Sequence, residues 1–402
     1  MDRPAFAPTV TPRRAAGAVA LLCLAALVGV AVDSGALATP SNAPGDGDAT
    51  AAPNAAHVDE NATAAPDRPG ERVAPGGATP DPPAGWHVAG LAVGANGTAV
   101  TVTYANGTGP RRQFAVDGVD PGLTNASAGW AYLPRSALPA ALRGADGPAA
   151  GVVTVGEWAL VGDLAGETVR IGPTRLTVAA PAGMAVDPGR KAGFLARFLG
   201  PYSLGPPPGE RVTLVVAPDA LPSDGRTYGT AGYVTQHAFW DGDVASVWVH
   251  EYVHARQAFE LTPGMTWFGE ASATYLSYRV MAEQYDPVTD ADVRARLAAT
   301  PDFPDAALAN RSTWAGTRAN YHRGAKLLYA VDAAIRRGSD GNRTVVDVFR
   351  AMNRRDDPVS VAEFVRLVER FAGGDVTWLR SAITESGDLD PRVERARGAF
   401  EG

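Results

Sequence analysis

Two periodicities divide the chain. From Trp86 to about Val186 apolar residues alternate over short runs. Thr98 to Tyr104 reads T-A-V-T-V-T-Y between the turn signals Asn96-Gly97 and Asn106-Gly107, which is the pattern of a half-buried strand. Val152–Val155, Trp158–Val161, Thr168–Ile171 and Leu176–Ala179 read likewise, with Gly and Pro in the gaps. A small β-rich domain is predicted over 86–187. From about Pro188 helical spacing takes over, at Arg190–Leu199, Val244–Phe259, Thr266–Tyr285, Tyr321–Arg337, Thr344–Met352, Val361–Phe371 and Val376–Ser386. Arg211–Ala217 and Gly232–Trp240 read as strands. Strands followed by a run of helices predict an α+β fold, with a second domain over 188–402.

The first 85 residues differ. Arg3, Arg13 and Arg14 precede an uncharged run from Ala15 to Val32, and Ala36-Leu37-Ala38 has the form of a processing site. Residues 1–38 therefore read as a signal peptide or, through 15–32, a membrane anchor. Residues 39–85 hold almost no large apolar side chain and read as a disordered linker, because they cannot bury enough surface to offset their ordering entropy. The expected location is extracellular, at the cell surface. Six N-x-[ST] sequons, at Asn61, Asn96, Asn106, Asn125, Asn310 and Asn342, agree with that and predict a glycoprotein.

Composition narrows the chemistry. The 402 residues carry a net charge of −7 and no Lys/Arg cluster, which argues against a nucleic-acid partner. The single cysteine, Cys23, lies in the N-terminal apolar run. Intrachain disulfides and Cys-ligated zinc are excluded, so any metal chemistry must use His and carboxylates.

His250-Glu251-Tyr252-Val253-His254 supplies that donor set. On a helix, positions four apart share a face, so two imidazoles can meet one zinc ion while Glu251 lies beside them as a general base. Zinc bound by two His needs a third protein ligand and an open position. Glu270 is the best candidate, separated from His254 by fifteen residues and on the next helix, in Trp267-Phe-Gly-Glu-Ala-Ser-Ala-Thr-Tyr275. Glu260 is nearer in sequence but lies off the ligand face.

These residues resemble the gluzincin zinc metallopeptidases. The likeness is to the peptidase-MA-like group and the glycyl-aminopeptidase-like branch. It implies a thermolysin-like catalytic domain, one zinc ion per chain held by His250, His254 and Glu270, Glu251 as catalytic base, and a peptide or protein substrate. Tyr321-His322-Arg323-Gly324 resembles the Y-x-[KR]-G of aminopeptidase-type gluzincins, which implies that Tyr321 stabilises the oxyanion. The G-x-M-E-N strand of those enzymes is not found; Gly232–Trp240 takes its place without the Glu that would grip a free amino terminus. A catalytically silent gluzincin-like binding module is the alternative.

The remaining candidates are weaker. His237 and His322 read either as cleft contacts or as structural histidines, and Arg323 as a surface or ion-pair residue. Thr274, one turn beyond Glu270, is placed to bond a ligand or to pack. The acids of Asp286–Asp292 lack calcium-loop spacing and read as solvated charges. His57 and His87 are assigned no role.

Overall fold

In the computed structural model, residues 85–400 are described, except 203, 206–210, 222 and 239–243. All of them fall in one structural unit, Asn54–Gly402. The expected signal or anchor (1–38) and nearly all of the expected linker lie outside the described residues. No helix among the described residues is long and apolar enough to cross a membrane.

Twelve strands form among the described residues: β1 (Trp86–Val93), β2 (Ala99–Asn106), β3 (Arg112–Asp117), β4 (Thr124–Asn125), β5 (Trp130–Pro134), β6 (Val152–Val155), β7 (Trp158–Gly162), β8 (Leu164–Ile171), β9 (Thr174–Pro181), β10 (Arg211–Ala217), β11 (Gly225–Tyr228) and β12 (Ala231–Thr235); the segments read from the sequence account for β2, β6 to β10 and β12. They make three sheets, ordered β1-β2-β3, β4-β5-β7-β6 and β11-β12-β10-β9-β8. In β2, buried Val100 and Val102 alternate with half-buried Ala99, Thr101 and Thr103, as period-two patterning requires.

The five-stranded sheet is central. β9, β10 and β12 run parallel, with β8 and β11 antiparallel at its edges. Parallel strands must be covered on both faces, and these are. Leu176, Val178, Leu214 and Val216 enter the core shared with the helices, while Ala179, Val215 and Ala217 enter the core shared with the smaller sheets. Tyr132 on β5 donates to the Val216 carbonyl at 2.8 Å across that second face.

Ten α-helices complete the described residues: α1 (Ala140–Arg143), α2 (Pro188–Leu199), α3 (Val247–His254), α4 (Trp267–Gln284), α5 (Asp290–Ala299), α6 (His322–Gly338), α7 (Val345–Met352), α8 (Val361–Ala372), α9 (Trp378–Thr384) and α10 (Asp390–Ala396). α2 is the crossover between parallel β9 and β10, capped by Asp187, whose carboxylate accepts from Gly189 and Arg190 N–H groups.

Three expectations need correcting. The division at 187/188 does not separate the sheets, because β8 and β9 belong to the sheet of β10; the change from strand to helix patterning marks the α2 crossover, not a domain boundary. The helix expected over Val244–Phe259 ends at His254, because the following backbone finds tertiary partners. Ala258 N–H donates to Asn353 Oδ1 at 2.8 Å, and Leu261 bridges to Val359. The acids near Asp290 open α5, where Thr289 and Asp292 form a reciprocal capping box, a device that satisfies otherwise orphaned N–H groups.

A chain begun at residue 188 lacks β8 and β9 and exposes one side of β10. It is expected to show no cooperative thermal transition, whereas residues 85–402 melt in one; circular dichroism on the two truncated chains checks this.

Candidate metal centre

The centre is built from the start of α3 upward. Ser246 caps α3, its hydroxyl accepting from Val249 N–H at 3.3 Å, a contact worth about 1 kcal/mol. Trp248, Val249, Tyr252 and Val253 are buried and fix the helix rotation. His250 and His254 are thereby left on the face toward α4, where Glu270 stands in the first turn. His254 Nε2 lies 3.0 Å from His250 Nε2 and 3.0 Å from Glu270 Oε2, and His250 Nε2 lies 3.3 Å from the same oxygen. The three side chains remain 15, 17 and 23% exposed, so the cluster is open to solution on one side.

This spacing fits a tetrahedral zinc ion. Ligand bonds of about 2.0–2.1 Å place neighbouring donor atoms about 3.3 Å apart. The tautomer fits as well. His254 Nδ1 lies 3.1 Å from Gln257 Oε1, and Gln257 Nε2 donates to the Gly269 carbonyl at 2.8 Å and to Ser272 Oγ at 3.0 Å. A carbonyl can only accept, so the Gln257 amide is fixed with its oxygen toward His254. Nδ1 must then carry the proton, which leaves Nε2 to face a metal.

Charges within the metal-free cluster are strongly coupled. Burial works against a charged His254, yet the Glu270 carboxylate outweighs it and lifts His254 to about 9. Burial alone would raise Glu270, but His254 and His250 together hold it well below the usual carboxylate range.

Glu251 occupies a separate wall. It is buried, and burial raises its carboxyl above the ordinary value against the opposing pull of His250, His254 and Thr227. Thr227 of β11 donates to Glu251 Oε2 at 2.7 Å. A Cβ at Gly225 would lie 2.6 Å from Glu251 Oε1, so only glycine lets this edge strand come so close. β11, not the expected Gly232–Trp240 segment, is the edge strand against α3.

Tyr321 reaches the cluster from the start of α6. Its ring stacks on His250, with centroids 6.0 Å apart and planes 9° from parallel. Burial, followed by the nearby Glu270 charge, pushes the phenol well above its usual range. Gly324 permits this approach, since a Cβ there would sit 2.5 Å from Ala271 Cβ on α4.

The weaker candidates sort as follows. His237 is not brought to the cluster; its ring engages Asp219 at 2.5 Å and Asp224 at 3.2 Å. His322 stacks on Phe303, and burial, then the charges of Arg318, Arg296 and Lys326, push it down to about 4. Arg323 is not on the surface: it is buried and lies 3.6 Å from Asp302. Thr274 is buried with its hydroxyl unbonded, so it packs and bonds no ligand. Glu260 is exposed. Thr227, Gly225, Gln257 and Ser272 escaped the sequence reading. Only Gln257, three residues after His254, stood where helix geometry could have flagged it.

No protein-family model matches the chain, and no curated protein does. Solved structures do resemble it. An aminopeptidase N family protein from Idiomarina loihiensis is 15% identical with a TM-score of 0.48, the match covering 59% of this chain and 50% of that one. The chain thus spans half the length of that protein. An M1 zinc metallopeptidase from Deinococcus radiodurans is 18% identical (TM-score 0.43, 76% and 95% covered). Native leukotriene A4 hydrolase from Saccharomyces cerevisiae is 12% identical (TM-score 0.45, 76% and 68% covered). These neighbours are gluzincins, the group that the motifs of this chain resemble. Identity is low throughout, and the functional reading rests on the site itself.

Zinc uptake at pH 7 is expected to release protons, because His254 near 9 holds a proton that the metal must displace. Affinity therefore rises with pH toward 9 and falls on acidification. Calorimetry in buffers of differing ionisation enthalpy checks this. Gln257→Ala is expected to weaken zinc binding roughly 10- to 100-fold, read by chelator competition.

Proposed function

We propose that this protein is a zinc-dependent peptidase whose metal is held by His250, His254 and Glu270. The observation that carries the reading is the convergence of three donor atoms 3.0–3.3 Å apart, with the buried Glu251 carboxylate on the adjoining wall. A metal-binding scaffold has no need of a second, buried carboxylate held by its own hydroxyl donor, so the silent-module alternative is not favoured.

Zinc in such a site lowers the pKa of water and polarises a carbonyl. Glu251 takes the proton from the attacking water and returns it to the amine nitrogen as the peptide bond breaks. Burial suits it to this work, because a raised carboxyl pKa makes a stronger base. Thr227 holds one carboxylate oxygen and leaves the other for the exchange. Tyr321 donates its hydroxyl to the oxygen on which charge develops; stacking on His250 keeps the phenol in place, and its raised pKa keeps it protonated.

The same proposal extends to location. The basic N-terminus followed by an uncharged run supports export to the cell surface. Among the described sequons, Asn96, Asn106, Asn310 and Asn342 are exposed, as glycosylation requires.

Glu251→Gln is expected to keep one zinc per chain and lose roughly 10²- to 10⁴-fold in turnover of a mixed peptide pool. Tyr321→Phe is expected to keep zinc and lose roughly 10²- to 10³-fold in kcat. Metal analysis beside peptide mass spectrometry reads both, and full activity in zinc-loaded Glu251→Gln contradicts the proposal.

A further inference from the structure

One charged side chain beside the centre has no part in the chemistry above. Arg318 stands one turn before Tyr321, and its carbonyl accepts the N–H groups of Tyr321 and His322 at 3.0 and 2.9 Å. Its side chain is half-buried, and no carboxylate among the described residues pairs with it. A partly desolvated guanidinium without an anion is costly. Its five donors form a rigid fork that matches a carboxylate.

The surroundings point the same way. The Arg318 charge reaches both the Tyr321 hydroxyl and the His322 ring. Arg323 and Lys326 on α6 share Asp302, at 3.6 and 3.7 Å, so that carboxylate already faces two cations. Glu251 and Glu270 are engaged by Thr227 and by the two histidines. These carboxylates are therefore already committed to other groups, next to the phenol that the mechanism places at the scissile carbonyl.

We infer that Arg318 is a specificity residue that anchors a carboxylate of the bound peptide, either its C-terminal carboxylate or an Asp/Glu side chain. The inference rests on the peptidase reading and deepens it. The fork reaches the carboxylate beside Tyr321 and holds the scissile bond in register with Glu251. It acts on substrate affinity, so its loss falls on KM more than on kcat.

The test uses full-length, zinc-loaded protein and hexapeptide pools of Ala, Leu, Phe and Gly, each supplied both with a free and with an N-acetylated amino terminus. One pair of pools ends in a carboxylate or an amide. A second pair is amidated and carries Glu or Gln at one position. Cleavage by the wild type is measured beside binding to Glu251→Gln. The wild type is expected to prefer the carboxylate member of at least one pair roughly 10- to 100-fold in KM. Arg318→Gln collapses that ratio toward one, and Arg318→Lys retains part of it. The pair that responds identifies the source of the carboxylate.

Equal handling of both members by the wild type, or an unchanged ratio in Arg318→Gln, overturns the anchor while leaving the peptidase reading intact. If the wild type cuts nothing, the peptidase reading falls, and the binding ratios with and without Arg318→Gln decide the anchor alone. If Arg318→Gln loses its zinc or its thermal transition, the wild-type ratio and Arg318→Lys decide.

Discussion

Three donor atoms on two helices must lie about one hydrogen-bond length apart, and the packing around α3, α4 and α6 answers to that demand. Without a cation, two imidazole nitrogens 3.0 Å apart repel unless one holds a proton. The close approach is imposed from outside the cluster. The N-terminal turn of α4 is clamped by Trp267 and Phe268, which pack edge-on against each other and against Phe364 of α8. Phe259 bridges Phe268 and Phe349. Gly324 then removes the one side chain that would hold α6 away from α4. Core packing thus supplies the work of gathering the ligands.

Polar contacts finish what packing begins. Gln257 ties His254 to the start of α4 through Gly269 and Ser272, so one amide sets both the tautomer of a ligand and the distance between ligand-bearing helices. Thr227 serves the base as Gln257 serves the ligand. Because β11 is an edge strand of the central sheet, the position of Glu251 is referred to the most deeply buried part of the fold. A loop could not fix a carboxylate so closely.

Much of this was legible in the sequence, and the limits were physical. His250, Glu251, His254 and Glu270 could be read because helix periodicity fixes which side chains share a face. Tyr321 and Gly324 came from resemblance, and the close α4–α6 contact supplies their physical reason. Thr227 and Gly225 were illegible, because β11 has four residues with no apolar alternation and its pairing with β12 is a tertiary fact. The sheet crossing residue 187 was hidden for the same reason: strand order is not written in local periodicity. α5 was missed because only Val293 and Leu297 are buried on it, too few for a periodic signal, although its capping box was readable.

The most direct measurement is anomalous diffraction at the zinc edge from crystals of the zinc-loaded protein. A single peak about 2.0–2.2 Å from His250 Nε2, His254 Nε2 and a Glu270 carboxylate oxygen, with the Glu251 carboxylate outside the coordination sphere, is the predicted result. A zinc ion bound elsewhere, or one that takes Glu251 as a ligand, contradicts the account.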